Sequence, residues 1–382
     1  MSVVVIEGMD GVAAAAWDAL AGADDPFVEH AFLAHLERSG SVGKRAGQVP
    51  RHLIVERDGV VVGAAPLYLK RHSQGEYIFD WGWADAAQRA GIPYYPKLVC
   101  AVPFTPATGP RLLVHPDADA ASVRAELAAA AWALAGEVGA HSVHWLFVPE
   151  GEVGALVDAG YAARRSWQYH FTNPGYRDFD DLLDQMTGRR RKEIRRERRL
   201  ARESGLELAV EPAHTLSAAD LDALHRCYLS TIDAHGAIPY LTPAWWAGLG
   251  SVLGHRAWVA TARRDGALVA GALAFQKGGH LFGRYWGALE ELGMVHFELC
   301  YYQLLEHAIR VGLRRVEAGA QGEHKIPRGF LPSLTWSAHR LRHPGLDAAV
   351  REFLEREAAH VGSVVDQLGG RSPFRVAAGE EG

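Results

Sequence analysis

Hydrophobic and polar positions along the chain fall into two recurring blocks. Residues 52–83, HLIVERDGVVVGAAPLYLKRHSQGEYIFDWGW, and residues 257–287, AWVATARRDGALVAGALAFQKGGHLFGRYWG, share one plan: an apolar run, an Asp-Gly pair, a second apolar run, a turn of basic and Gly residues, and a third run ending in Trp-Gly. Asp58-Gly59 and Asp265-Gly266 mark hairpins, because the tight turn needs positive φ, which Gly adopts without steric penalty. Each block therefore predicts a three-stranded antiparallel meander. After the first, residues 123–139 carry an alanine-rich helical pattern ending at Gly139, followed by a strand over 142–148. After the second, Leu299, Tyr302, Leu305 and Ile309 recur at helical spacing up to Gly312, followed by a strand over 315–318. Gly just past a helix is the usual left-handed cap. The same order twice predicts an α+β (mixed α/β) chain of two related domains, 1–170 and 171–382.

Between the two blocks the pattern changes. An acidic stretch, FDDLLDQM, runs into TGRRRKEIRRERRLARES, where residues 187–203 hold nine basic residues against three acidic ones. The segment 180–204 reads as a helix, with Arg191, Arg195, Arg198, Arg199 and Arg202 making one cationic side. Its few apolar positions, Met186, Ile194 and Leu200, predict a largely exposed element.

Composition sharpens this picture. With 382 residues, 48% of them hydrophobic and 22% charged, the chain is globular throughout and large enough for two cores. A net charge of -5 argues against general attraction to nucleic acid, so the basic helix is a local cationic site whose self-repulsion an anion would relieve. Arg forks match phosphate oxygens best. Cys100, Cys227 and Cys300 are isolated, which predicts neither a disulfide framework nor a zinc site. The first nine residues lack a basic n-region, and no run is long enough to span a bilayer, so the expectation is a cytoplasmic, reduced protein without an integral membrane segment.

Phosphate-loop, dinucleotide, zinc-protease and nucleophile-elbow signatures are all absent, and the nineteen His residues are scattered, so no metal is expected. Polar groups concentrate instead in EAGAQGEHKIPRGF, residues 317–330, a Gly-bearing loop after a strand. Its His and Glu side chains are suited to take a proton from an attacking ammonium. The alternative is a surface cluster of ion pairs. His296 and Glu298 open the second crossover helix, where free N–H groups favour an oxyanion; the Pro- and Gly-rich residues 104–111 occupy the equivalent place in the first half. Aromatic and charged residues close the meanders: Asp80, Trp81 and Trp83 in the first, Arg284, Tyr285 and Trp286 in the second.

GAQGEHKIPRGF, HFELCYYQLLEHAI, PFTPATGPR and RRRKEIRRERRLA together resemble the FemAB-like proteins of peptidoglycan biosynthesis or recognition, relatives of the Fem aminoacyltransferases, over about residues 30–342. The resemblance implies two tandem GNAT-like domains, in agreement with the internal repeat. It implies a transferase that joins an aminoacyl group from aminoacyl-tRNA to an amine acceptor, a cell-wall precursor or a specialised metabolite, with the tRNA as co-substrate and no other cofactor. Under it, Arg189, Arg190, Arg191, Lys192, Arg195, Arg196 and Arg199 hold RNA phosphates. Glu298, Glu323, His324 and Lys325 are catalytic candidates, and Trp81, Tyr240, Arg284, Trp286, His296, Gln321 and Arg328 are candidates for binding substrate. Two rivals stand beside it: an acyl-CoA N-acyltransferase, for which TPATGPR and LGMVHFE are poor pyrophosphate loops, and a non-catalytic RNA- or glycan-binding module.

Overall fold

A computed structural model describes residues 2–319 and 322–375. Among these residues nine strands precede the basic segment: β1 Ser2–Ile6, β2 Gln48–Pro50, β3 His52–Arg57, β4 Val60–Ala65, β5 Leu67–Lys70, β6 Lys97–Cys100, β7 Leu113–Val114, β8 Ser142–Val148 and β9 Ala162–Thr172. Six follow it: β10 Glu207–Pro212, β11 Ala257–Arg264, β12 Ala267–Lys277, β13 His280–Ala288, β14 Arg315–Glu317 and β15 Leu331–Leu341. Both Asp-Gly pairs turn hairpins with positive φ at each residue, 52° and 78° at Asp58-Gly59 and 50° and 80° at Asp265-Gly266. The architecture is the expected mixed α/β one, and the second half keeps the expected order of meander, crossover helix and strand.

The chain forms two compact units, and they are not its two halves. The first comprises Met1–Trp167, Tyr240–Trp245 and Leu334–Ser363; the second takes the rest. In the first unit β15 pairs antiparallel with β8, from Trp336 opposite Val148 to Leu341 opposite Ser142. In the second, β14 pairs antiparallel with the end of β9, Arg315 opposite Thr172 and Glu317 opposite His170. Each unit is thus completed by a strand from the other half of the sequence, and a cut at 170/171 falls inside β9. An alternating pattern identifies a strand but carries nothing about its partner.

The first unit holds two sheets, because Pro66 interrupts the second run of its meander. β4 stays with β1, β3 and β7, whereas β5 joins β2 and β6, with β8 parallel to β6. The expected third strand ending at Trp81-Gly82 is instead the helix Trp81–Arg89. Trp83 and Ala87, four residues apart, are its buried face, and Trp81 is left 46% exposed. The crossover helix Ala120–Glu137 is capped by Asp119, which accepts from the Ala121 and Ser122 N–H groups. Its Val123, Leu127, Ala131 and Leu134 share one core with Val143, Trp145 and Val148 of β8, all seven residues of which are buried.

The second unit orders its strands β10-β11-β12-β13-β14-β9. Gly287, the glycine of the Trp-Gly signal, has a physical reason: a Cβ there would lie 1.7 Å from the Cys227 carbonyl oxygen, so Gly lets the helix Ala218–Ala234 lie directly on β13. The segment expected as one helix over 180–204 is two, an acidic Phe179–Gln185 and a basic Gly188–Arg202, separated at the buried Met186. Among the described residues no helix is long and apolar enough to cross a membrane.

Candidate functional site

The second unit contains a cavity of ≈ 300 Å³ where its sheet comes apart. β13 and β14 run parallel over His280–Phe282 and Arg315–Glu317. β13 continues to Ala288 while β14 ends at Glu317, so past Gly283 the two strands diverge. A bulge strengthens the divergence: Leu273 faces Tyr285 and Ala274 faces Gly283, leaving Arg284 as the extra residue on β13. Bulges re-aim side chains in this way next to functional sites.

β12 lines this opening with Ala272 and Leu273, and His235, just past the helix Ala218–Ala234, adds to it. β13 contributes Arg284, Tyr285 and Trp286; the crossover helix contributes His296, Cys300, Tyr301 and Leu304; the loop after β14 contributes His324 and Lys325. The crossover helix starts at Val295 and passes through one π-helical stretch, Glu298–Tyr302, before resuming α geometry at Gln303. Such π-stretches are frequent at functional sites. Here the widened turn buries Tyr301 and Tyr302 together. The loop is a short 3₁₀ turn, Glu323–Arg328, closed by Gly329 at φ 93°.

Contacts fix the side chains. The Tyr301 hydroxyl lies 2.8 Å from His324 Nε2, and the His296 ring packs between Trp286, at 5.0 Å, and Tyr301, at 5.8 Å. Lys325 is 3% exposed and donates to the Gly319 carbonyl at 3.1 Å. Burial, helped by His324, Arg328 and Lys325, lowers His296 to about 4. Burial first, and then Lys325 and Arg328, also lower His324. Both imidazoles are neutral at pH 7. Burial pushes Lys325 down to about 8 and raises Tyr301, which stays protonated. The cavity therefore presents neutral proton acceptors beside two cations, Arg284 and Lys325, and its lining residues include no carboxylate.

The predicted site residues separate into three groups. Arg284, Trp286, His296, His324 and Lys325 meet at the cavity. Arg328 and Glu298 lie behind it as supports. Arg328 donates from Nη2 to both Glu197 oxygens at 2.9 Å and from Nη1 to the His324 carbonyl at 2.6 Å, and it stacks on Phe297 at 3.5 Å. Glu298 is wholly buried and holds Arg198 at 3.0 to 3.2 Å, which ties up the carboxylate expected to act as a catalytic group. Glu323 points elsewhere and pairs with Arg371 at 2.5 Å, both of them exposed. Trp81 and Tyr240 belong to the first unit, where Tyr240 stacks on Phe104 at 4.8 Å. Gln321 lies outside the described residues. The loop 104–111 is structural: Arg111 is fully buried and donates to the Ala107, Pro110 and Leu146 carbonyls and to Asp25. Tyr301, unremarked in the sequence, is the residue the structure adds; its place within HFELCYYQLL was the available signal.

The basic helix has two faces. Ile194, Glu197, Arg198 and Ala201 turn inward; Arg198 also binds Glu306 at 2.5 Å, and Glu197 accepts from the Tyr302 hydroxyl as well as from Arg328. Arg198 is thus a buried strut and leaves the expected cationic side. Outward, Arg190, Arg191, Arg195 and Arg199 pair with Glu193, Asp184, Asp180 and Glu203. Arg189, Lys192 and Arg196 are exposed and make no ion pair among the described residues.

Residues 8–376 match the FemAB-like family model, described as peptidoglycan biosynthesis/recognition. No curated protein sequence matches the chain. Several solved structures resemble it over most of their length. The C-terminal (DUF2156) domain of a proposed lysylphosphatidylglycerol synthetase from Agrobacterium fabrum has a TM-score of 0.55 at 12% identity, over 88% of this chain and 94% of that one. FemX has 0.53 at 13%, over 92% and 100%. L-PGS from Bacillus licheniformis has 0.50 at 13%, over 88% and 98%. At such identities the likeness is one of fold.

Proposed function

This chain belongs to the FemAB-like family of peptidoglycan biosynthesis/recognition, a family of transferase type, and we propose that it is an aminoacyltransferase that moves an aminoacyl group from aminoacyl-tRNA to the amine of a peptidoglycan precursor or a small metabolite. The observation that carries this reading is the cavity where β13 and β14 part, which sets neutral His296 and His324 and the protonated Tyr301 beside the start of a crossover helix.

An amine attacks an ester only when neutral, and two neutral imidazoles in a partly dry cavity suit that requirement. The acceptor nitrogen attacks the ester carbonyl carbon. As the C–N bond forms, the Tyr301 oxygen takes the amine proton and its own proton passes across 2.8 Å to His324 Nε2. The tetrahedral oxyanion is met by backbone N–H groups of β13 beyond Gly283 and of the helix start at Val295. The ester C–O bond then breaks, and the ribose oxygen recovers the proton from His324. Holding two substrates in register supplies most of the rate. The exposed Arg189, Lys192 and Arg196, with Arg190, Arg191, Arg195 and Arg199 around them, supply the cationic surface for RNA phosphates.

The test supplies the purified protein with charged tRNA or with acetyl-CoA, together with candidate amines, and follows amide formation by mass spectrometry. Product that disappears on ribonuclease treatment supports the tRNA donor. CoA-dependent product moves the donor to an acyl thioester, and no amide with either donor overturns the reading.

A further inference from the structure

A folding chain gains by hiding its aromatic rings, because each removes a large apolar area from water. Among the described residues the exposed Phe and Trp side chains are Phe79 at 48%, Trp81 at 46% and Phe353 at 40%, and they gather at one place in the first unit. Phe79 and Phe353 line a cavity of ≈ 400 Å³, and Trp81 stands in the chain between Phe79 and Gly82, another lining residue. The cavity is a slot between two helices. Trp81–Arg89 contributes Gly82, Trp83 and Ala86, and Pro344–Gly369 contributes residues from Leu346 to Phe353. The second stretch covers two helical turns, about 10 Å. An apolar concentration of this kind marks a place that something else covers.

The lining says what the cover is. Gly82 has helical backbone that any residue adopts, and a Cβ there would meet nothing within 4 Å, so neither conformation nor packing calls for glycine; its missing side chain keeps the slot open. Ala86 and Ala349 are small as well. Arg164 is the charged residue of the lining, and its charge is already met: Nε and Nη2 donate to the two Glu357 oxygens at 2.8 Å, and Nη1 donates to the Phe79 carbonyl at 2.8 Å. Its guanidinium lies 5.0 Å from the Trp83 ring centroid. Apart from Arg164 and the Trp83 indole, the lining residues carry no polar side chain. A charged group entering the slot finds no counter-charge, and the amides of an extended peptide find too few partners to replace water. We infer that the slot binds one aliphatic chain, the acyl or prenyl tail of a single lipid, laid along the helix from Leu346 to Phe353. Its volume is that of a small-ligand cavity. The site belongs to the first unit, goes beyond the transfer reading and does not depend on it.

The experiment titrates the full chain by calorimetry with monomeric hexanoyl-, octanoyl- and decanoylglycerol and with farnesol. Each added methylene buried in the slot is expected to tighten binding roughly threefold to fourfold until the slot is full. Tighter decanoylglycerol identifies an acyl tail and tighter farnesol a prenyl one. Gly82→Leu puts a side chain into the slot from one helix and Ala349→Leu from the other, and each is expected to weaken the best probe by about tenfold or more. The melting temperature of Gly82→Leu is expected to be kept, because its Cβ meets open space. Affinity that ignores chain length, or that is equal in wild type and both filled variants, overturns the inference. A dimer seen by sedimentation that Gly82→Leu dissociates, with no chain bound by wild type, assigns the slot to a second copy and overturns it too.

Discussion

Two buried lysines, one in each unit, show how the same side chain serves opposite ends. Lys97 is enclosed by Ser73, Glu76 and Asp80 at 2.5 to 2.8 Å. Burial works against its charge, but the two carboxylates outweigh burial and its pKa is raised. The Asp80 carboxyl, disfavoured by burial yet held by Lys97 and His144, sits below the usual carboxylate range. Lys325 has the burial without the carboxylates, and falls to about 8. Lys97 is a strut whose charge the fold needs; Lys325 has no carboxylate partner among the described residues. Perturbed pKa values cluster at functional sites, and Lys325 lines the candidate cavity.

The contrast breaks first on Lys97. Lys97→Met leaves the buried Asp80 without its cation and Glu76 with Lys70 alone, and the expected loss is about 3–5 kcal/mol, read as a lower melting temperature. Because its pKa is raised, the contribution of Lys97 is present at neutral pH and disappears only as pH rises through the folded value. Lys325→Met should move the other way. The unfolded chain binds the Lys325 proton up to 10.5 and the folded one only to about 8, so keeping the ammonium at pH 7 costs the fold about 3 kcal/mol. The methionine variant is therefore expected to be more stable than wild type by about that amount at pH 7, with the gap closing between pH 8 and 10.5. Unfolding curves at pH 7 and above pH 10 check both. A destabilised Lys325→Met at pH 7 would show that the second lysine is a strut as well.

Tyr301→Phe asks whether the second site is chemical at all. Removing the hydroxyl that bridges to His324 interrupts the proton path while keeping the packing, and the expected fall in kcat is about 10²-fold with KM little changed. Because His324 lies below its usual 6.5, wild-type activity should hold down to pH 6.5 and decline only as the imidazole protonates below that. A pH–rate profile breaking above 6.5 would contradict the assignment.

Much of this was legible in the sequence, and the residues show why. The Asp-Gly pairs gave both hairpins because positive φ is a local requirement. Gly139 and Gly312, at φ 66° and 71°, gave both helix ends for the same reason. Leu299, Tyr302, Leu305 and Ile309 are all buried, as their spacing required. The loop holding His324 and Lys325 was visible as a polar cluster after a strand. What was not legible depends on partners distant in sequence. Nothing in β9 or β15 names the strand it pairs with, and nothing in the helical repeat of arginines says that Arg198 turns inward to Glu298. Trp81 read as a strand end because Trp-Gly closes β13, yet the Ala- and Gln-bearing run behind it favours helix.

The difference between provided and missing counter-ions recurs on the outer face of the basic helix, where the effect per residue is smallest. Arg191, Arg195 and Arg199 have Asp184, Asp180 and Glu203 at 3.0 to 3.2 Å, whereas Arg189, Lys192 and Arg196 have no such partner among the described residues. A cation already paired must break that pair to meet a phosphate, so it contributes less to RNA binding than an unpaired one. Each phosphate neutralised on single-stranded RNA contributes about 0.7 to the slope of log K against log salt. Changing Arg189, Lys192 and Arg196 to Gln is therefore expected to flatten the slope by about two, and changing Arg191, Arg195 and Arg199 to flatten it by clearly less. The comparison requires tRNA binding by both triple variants across a range of salt concentrations, with the slopes set side by side. Equal slopes would mean that the acidic partners are released on binding. Slopes unchanged from wild type in both would leave the helix its inward role alone, holding Glu298 and Arg328 behind the cavity.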